Sequence, residues 1–327
     1  MNGSQVSDDG LPDLAEAQEK IGRLKASIEK IIIGKSDVIE RTVTALLARG
    51  HLLIEDVPGV GKTTLAHALA RSIDGGFQRI QFTNDLLPSD VLGVSIYSPA
   101  TEEFRFEPGP IFANIVLADE INRTSPKTQS CLLEAMNDGQ VSIDGQTLRL
   151  PTPFMVLATQ NSMEFTGTFP LPESQLDRFL MRLRMGYPSS EDERRLLLGK
   201  NPAEAIPALE PVISTSDVDG LQQIVGRIRI SPVVTDYVLA LVERSRADER
   251  LALGVSPRGA MALMRAAQAL ALIRGRGYVL PDDLKELAVQ VFAHRVVLSN
   301  RVVSTGHDRD LQETIILEAL ERVEVPI

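Results

Sequence analysis

A chain of 327 residues with 43% hydrophobic side chains is long enough for two folded domains, each with its own core. Its formal net charge of −10 argues against a general nucleic-acid surface, which needs concentrated Lys and Arg, and leaves room only for a local basic channel. The one cysteine, Cys131, excludes an internal disulfide and any cysteine-based metal cluster.

Residues 1–13 are polar and acidic, lack the basic start and apolar middle of a secretory leader, and are expected to form a flexible tail. No apolar run is long enough to span a bilayer, so a cytoplasmic protein is expected. Residues 14–30 place Leu14, Ala17, Ile21, Leu24 and Ile28 at three- and four-residue steps, which predicts an amphipathic helix. A second helix is expected over 36–49 with Ser36 as its N-cap. Strands are expected over 51–55, 79–83, 114–120 and 153–160, and a helix over 62–73. Alternation of this kind implies an α/β fold, with a parallel sheet covered by helices on both faces.

Two segments interrupt the scheme. Residues 94–97 and 103–106 alternate apolar with polar side chains around Ser98-Pro99-Ala100-Thr101, and 140–143 and 147–150 flank the turn signal Asp144-Gly145, so each pair predicts a projecting hairpin. Residues 14–188 are thus expected to form the α/β domain. Residues 189–216, rich in Pro and polar side chains, are expected to be a linker. Helical periodicity then dominates 217–327, for example over 260–273 and 284–295, and predicts an all-helical second domain.

The most constraining stretch is His51-Leu52-Leu53-Ile54-Glu55-Asp56-Val57-Pro58-Gly59-Val60-Gly61-Lys62-Thr63-Thr64. A buried strand runs into a glycine-bearing loop and then a helix, the layout of a phosphate cradle built from residues 58–64. Gly59 and Gly61 let backbone N–H groups turn inward, Lys62 supplies a point charge, and Thr63 supplies a hydroxyl for Mg²⁺. The first glycine of the G-x-x-x-x-G-K-[ST] fingerprint is replaced by Asp56. The alternative is a glycine turn that happens to carry a lysine. Downstream, Ile115-Val116-Leu117-Ala118-Asp119-Glu120 is an apolar strand ending in two acids. Asp119 suits a ligand of Mg²⁺, and Glu120 suits the carboxylate that orients or deprotonates an attacking water. The alternative for this pair is a strand end capping a helix that starts near Ser125-Pro126. Cys131 falls in a helical pattern, where a small buried thiol is expected, and His51, His67, His294 and His307 lack ligand spacing and read as structural or surface residues.

With both domains in view, the chain resembles the AAA+ ATPases and, within them, is similar to the MoxR family. The residues that carry the resemblance run in order: Arg79-Ile80-Gln81-Phe82-Thr83, Asp85-Leu86-Leu87-Pro88-Ser89-Asp90, Asp119-Glu120-Ile121-Asn122-Arg123, Lys127-Thr128-Gln129, Ala158-Thr159-Gln160-Asn161, and Leu171-Pro172-Glu173-Ser174-Gln175-Leu176-Asp177-Arg178-Phe179. Coverage extends from about residue 32 to residue 295.

The resemblance implies ATP as substrate with Mg²⁺, Lys62 and Thr63 as the Walker A pair, and Asp119 and Glu120 as the Walker B pair. Asn161 is similar to the sensor that positions the attacking water; its alternative is a turn-forming residue. Arg178 is similar to an arginine finger given to a neighbouring subunit; its alternative is an ion pair with Asp177. Arg258, expected in the first turn of a helix with Ser256 as N-cap and Pro257 at N1, looks like the second sensor, linking the lid to the γ-phosphate. Ile33 and Gly34 are expected to line the adenine site, and Arg123 to face an adjoining subunit. A hexameric ring with a chaperone-like role toward protein clients follows from the family, including enzyme maturation or metal-cofactor insertion and a partner with a von Willebrand factor A domain. Tyr97, Phe104 and Phe106 are candidate client contacts, or one packed face of their hairpin. The alternatives are a nucleic-acid motor of the same branch, which Arg105 and Arg149 alone support weakly, and a nucleotide-gated scaffold.

Overall fold

The computed structural model describes residues 14–57, 59–100, 102–160, 168–198, 202–299 and 308–325. The chain opens with α1 (Leu14–Glu29) and α2 (Ser36–Leu47), then β1 (Leu52–Glu55), α3 (Lys62–Ser72) and β2 (Phe77–Gln81). A short α4 (Pro88–Leu92) leads into the hairpin β3 (Gly93–Ser98) and β4 (Glu103–Pro108). There follow β5 (Ile115–Asp119), α5 (Pro126–Asp138), a second hairpin β6 (Gln140–Ile143) and β7 (Gln146–Arg149), β8 (Met155–Gln160), α6 (Glu173–Leu176) and β9 (Met181–Leu183). The remainder is α7 (Ser190–Leu198), α8 (Pro202–Ala205), α9 (Thr215–Val225), α10 (Pro232–Arg246), β10 (Leu251–Leu253), α11 (Pro257–Ile273), α12 (Pro281–Phe292), β11 (Val297–Leu298) and α13 (Asp308–Arg322).

Five strands form one sheet in the order β2-β5-β8-β1-β9, and every pairing in it is parallel. Side-chain alternation splits its apolar residues between two cores. Leu52, Ile54, Ile115, Leu117 and Leu157 face α1, α2 and α3, while Leu53, Val116, Ala118, Val156 and Ala158 face α4 and α5. These strand residues are fully buried, and each Leu, Ile or Val among them contributes roughly 1.5–3 kcal/mol of transfer free energy. Parallel strands covered on both faces in this way are the expected α/β architecture, and both expected hairpins form, with Tyr97 opposite Phe104 and Ile143 opposite Gln146.

Several details depart from the expectations. Ser36 is the first residue of α2, with Lys35 at the cap position, because the Ser36 hydroxyl is donated to Glu29 at 2.8 Å instead of turning back on the helix. The strand expected at 79–83 lies at 77–81, although Phe82 N still donates to Asp119 O at 2.9 Å. The segment expected to be a linker carries α7 and α8, and the second domain is not purely helical, since β10 and β11 pair antiparallel. Nor are the two cores separate. The first sheet face, α1 and α2 belong to the same buried cluster as Leu221, Leu263, Leu270 and Leu287 of the helical domain, with α1 and α2 packed on α11.

The last helix is tied to the sheet by charge. Arg309 of α13 pairs with Glu55 at the tip of β1, and Arg184 pairs with Asp310 at 2.8 Å. Arg182 of β9, whose side chain is 7% exposed, sits 3.9 Å from Glu55, and burial lowers its pKa to about 10. It stays charged at neutral pH. Residues 1–13 and His307 lie outside the described residues.

Candidate nucleotide site

The phosphate loop stands at the C-terminal end of β1, the edge where open parallel sheets hold their ligands. Gly59 and Gly61 take φ values of +85° and +95°, which side-chain-bearing residues rarely adopt. Gly61 is also the N-cap of α3 and offers no side chain to its first turn, so the opening N–H groups of the helix remain available to an anion. Gly59, Gly61, Lys62, Thr63, Thr64, Arg79, Gln81, Asp119 and Glu120 line one pocket of about 360 Å³. Pro58 lies outside the described residues, and Val60 is a partly buried residue packed against the core beside the loop.

Asp56, which replaces the fingerprint's first glycine, is a tether. Its Oδ2 accepts from Gly186 N at 2.6 Å, its Oδ1 accepts from Val57 N at 2.9 Å, and its carbonyl accepts from Lys62 Nζ at 3.0 Å. The loop is therefore fastened to the chain leaving β9.

Asp119 and Glu120 meet four partners. Thr159, fully buried on β8, donates its hydroxyl to Asp119 Oδ1 at 2.6 Å and accepts from Glu120 N at 2.8 Å. That second bond matters because Glu120 sits at φ +57°, a left-handed conformation that a non-glycine residue holds only when its surroundings enforce it. Arg79 Nη2 lies 2.6 Å from Asp119 Oδ2, Gln81 Nε2 donates to Glu120 Oε2 at 3.0 Å, and Arg123 Nε reaches the same oxygen at 3.0 Å. Neither acid caps α5, whose N-terminus is closed by Ser125. A hydroxyl and a carboxylate beside a phosphate cradle are hard oxygen donors suited to Mg²⁺, which takes few protein ligands and completes its shell with phosphate and water. Among the described residues no denser cluster of metal-ligating side chains occurs.

Ile33 and Gly34 line a neighbouring cavity of about 720 Å³ with Ile32, Val38, Met185 and Arg195. The two cavities adjoin, because a Cβ added at Gly61 would stand 3.8 Å from Met185 Cε. Gly34 has φ +72°, and a Cβ there would meet Asp192 Oδ2 of α7 at 2.0 Å. Helix α7 thus closes directly over this backbone.

Arg178 and Arg258 are elsewhere. Together with Arg49, Arg265 and Arg295 they line a pocket of about 280 Å³ whose lining includes a single carboxylate, Asp177. This pocket also contains His51 and Leu180, which immediately precede β1 and β9, so it opens at the N-terminal edge of the sheet. Strand β1, four residues long, puts roughly 13 Å of backbone between the two edges at ~3.3 Å per residue. Arg178 Nη1 donates to Leu133 O, while Asp177 turns to Arg295 at 2.7 Å and to Arg258 at 3.7 Å. The Arg178–Asp177 ion pair is not formed. Arg258 does occupy the first turn of α11 behind the Ser256 cap, as expected, but it bonds Asn137 and shares no pocket with Lys62 of its own chain. Its expected link to the γ-phosphate is therefore not made within one chain in this geometry. Asn161 lies outside the described residues.

The remaining titratable candidates are structural. His51 is buried, accepts from Val156 N at 3.0 Å and faces Met136 O at 2.9 Å, and burial lowers its pKa to about 4. His67 stacks on Phe77, His294 is buried against Phe179 O, and burial pushes the Cys131 thiol up to about 11. Of the residues that carry this geometry, Thr159, Gln81 and Asp177 appear in the sequence only inside motif strings, and Arg295 only as the end of a helix. Their partners are too distant along the chain for spacing to expose them.

The family profile for ATPases associated with various cellular activities (AAA) matches residues 51–181, and that for the AAA lid domain matches residues 243–315. The chain is 51% identical over 307 residues to the YeaC protein of Bacillus subtilis, covering 94% of this chain and 95% of that one. It is 41% identical over 328 residues to the chaperone MoxR1 of Mycobacterium tuberculosis, covering 97% and 85%. A crystal structure of a candidate ATPase from Cytophaga hutchinsonii superposes with a TM-score of 0.83 at 36% identity, covering 96% of this chain and 97% of that one. With a phosphate cradle and paired acids at one edge of a parallel sheet and an AAA lid behind it, the chain belongs to the MoxR family of AAA+ ATPases.

Proposed function

We propose that this protein hydrolyses ATP at sites shared between identical subunits of a closed ring and uses the energy to remodel client proteins. One observation carries the reading: the cradle and the arginine pocket lie at opposite edges of one sheet. Neither Arg178 nor Arg258 serves the phosphates of its own chain, and both suit the phosphates of the next. A head-to-tail contact of that kind closes into a ring, and the family precedent is a hexamer.

In this reading the base enters the cavity beside Ile33 and Gly34, and the phosphates rest on the N–H groups of residues 59–64. Lys62 releases Asp56 O to reach the terminal phosphates. Thr63 and Asp119 would hold Mg²⁺, which would supply positive charge to offset that of the phosphates. Glu120 orients the attacking water with help from Asn161, and its left-handed backbone, fixed by Thr159, aims the carboxylate. Arg178 and Arg258 of a second copy stabilise charge on the transferred group.

The role toward proteins draws support from the chaperone name of a relative and from the first hairpin. There Tyr97 and Phe104 face each other at 5.3 Å and stay 50% and 72% exposed, while Phe106 packs at the base on Phe112. Apolar tips of this kind suit a polypeptide better than nucleic acid, since the hairpin's Arg105 is matched by Glu107 at 3.4 Å. A partner with a von Willebrand factor A domain and a part in enzyme maturation or metal-cofactor insertion are the finer expectations. No helix among the described residues is long and apolar enough to cross a membrane.

The test is complementation. Lys62→Ala and Arg178→Ala, each inactive alone, regain turnover when mixed, because an intact cradle meets an intact guanidinium. Absence of recovery in rings shown to contain both variants overturns the shared site. Glu120→Gln keeps ATP bound and abolishes turnover; unchanged hydrolysis would remove Glu120 from the role of water-activating base.

A further inference from the structure

Arg295 ends the turn after α12, and its side chain is 2% exposed. A guanidinium is costly to bury unless all its donors are matched. Here they are: Nε donates to Asp177 Oδ1 at 2.7 Å, Nη1 to the carbonyls of Leu180 and Val291, and Nη2 to Asp177 O at 3.2 Å and Phe179 O at 2.6 Å. Four of these five bonds end on residues 177–180, the segment that carries Arg178 into β9. His294 adds a contact to Phe179 O at 3.0 Å. Burial lowers the Arg295 pKa only to about 10, so the clamp stays charged at neutral pH.

Asp177 extends the clamp. Its Oδ1 is held by Arg295 and its Oδ2 faces Arg258 Nε at 3.7 Å, so one carboxylate joins two points of the helical domain to the residue before Arg178. If Arg295 served only to close α12, its bond to Val291 O would suffice. A planar fork that spreads over three carbonyls of another segment, those of Asp177, Phe179 and Leu180, fixes orientation as well as position.

We propose that Arg295 is the positioning residue that locks the 177–180 segment to the helical domain, so that Arg178 and Arg258 meet the triphosphate of a second copy of this chain as one rigid pair. The inference rests on the shared-site reading above. It adds that the lid governs the finger directly, through buried hydrogen bonds.

Arg295→Lys keeps the charge and loses the fork. It should fold, form rings and bind ATP with unchanged KM, while kcat falls on the order of 10²-fold, the usual effect of a misplacement near 1 Å. Mixing separates positioning from general damage. Arg295→Lys should recover turnover with Lys62→Ala and should not recover with Arg178→Ala. Unchanged kcat, a raised KM, or recovery with Arg178→Ala overturns the proposal. Should Arg295→Lys fail to fold, Asp177→Asn, which preserves shape, gives the same complementation pattern with a loss of roughly tenfold, and a different pattern overturns it equally. If Arg178→Ala and Lys62→Ala themselves fail to complement, the shared site falls first. If they do complement and Arg295→Lys with Lys62→Ala does not, only the positioning role falls.

Discussion

At the C-terminal tip of β1 the chain presents backbone N–H groups, one lysine and two carboxylates; at its N-terminal end it presents five arginines around one carboxylate. The first set has the chemistry suited to phosphate, metal and an attacking water, but its cations Arg79 and Arg123 are engaged by Asp119 and Glu120. The second set suits negative charge, with five guanidinium groups around one carboxylate. Each end offers what the other lacks, and the sheet keeps them apart within a chain, so under the proposed shared site completing the chemistry and assembling a ring would be one event.

The contrast can be broken at either end. The largest effect belongs to Arg178→Ala, with kcat down on the order of 10³-fold or more and ATP binding intact, measured by steady-state turnover beside equilibrium binding of nucleotide. A matching loss of binding would place Arg178 in the cradle's service and undo the separation. At the other end, Thr159→Val removes one hydroxyl from a fully buried site with little change in shape, freeing the Asp119 carboxylate and the Glu120 backbone together. Turnover should drop roughly tenfold to hundredfold, with Thr159→Ser largely restoring it, and the defect should complement with Arg178→Ala but not with Lys62→Ala. Complementation in the reverse sense would show that Thr159 acts on the arginine edge.

The smallest effect concerns stability at that edge. His51 has a folded pKa near 4 against an ordinary value of 6.5, so the unfolded chain binds the extra proton first. Its contribution is complete above about pH 6.5, declines as pH falls below that value, and stops changing below about pH 4. Thermal melting from pH 7 to pH 5 should fall more steeply for the native chain than for His51→Gln. Equal slopes would mean that the ring at position 51 is protonated in the folded state.

The sequence made the cradle, the paired acids, both hairpins and the Ser256 cap legible, because each is local. A loop glycine, a turn signal or a cap acts within four residues. Arg258 shows the limit: its helix and cap followed from Ser256-Pro257, but its neighbours Asn137 and Asp177 lie 121 and about 80 positions away and redirected it to the other edge. The Thr159 and Arg295 bonds span 40 and 118 positions, with no periodicity to announce them. The change in composition near residue 188 suggested a domain boundary, yet α1 and α2 pack on the helical domain through apolar faces that read the same whichever partner covers them.

Asp56 is the position at which the loop deviates from its fingerprint, and it is also a knot. Its carboxylate grips Gly186, the chain from Gly186 runs into α7, and Asp192 of α7 roofs Gly34 in the base cavity. In the proposed site, one carboxylate therefore links the loop that would carry the phosphates, through a short irregular stretch, to the helix that would cover the base, so the two halves of a nucleotide would load the same connection.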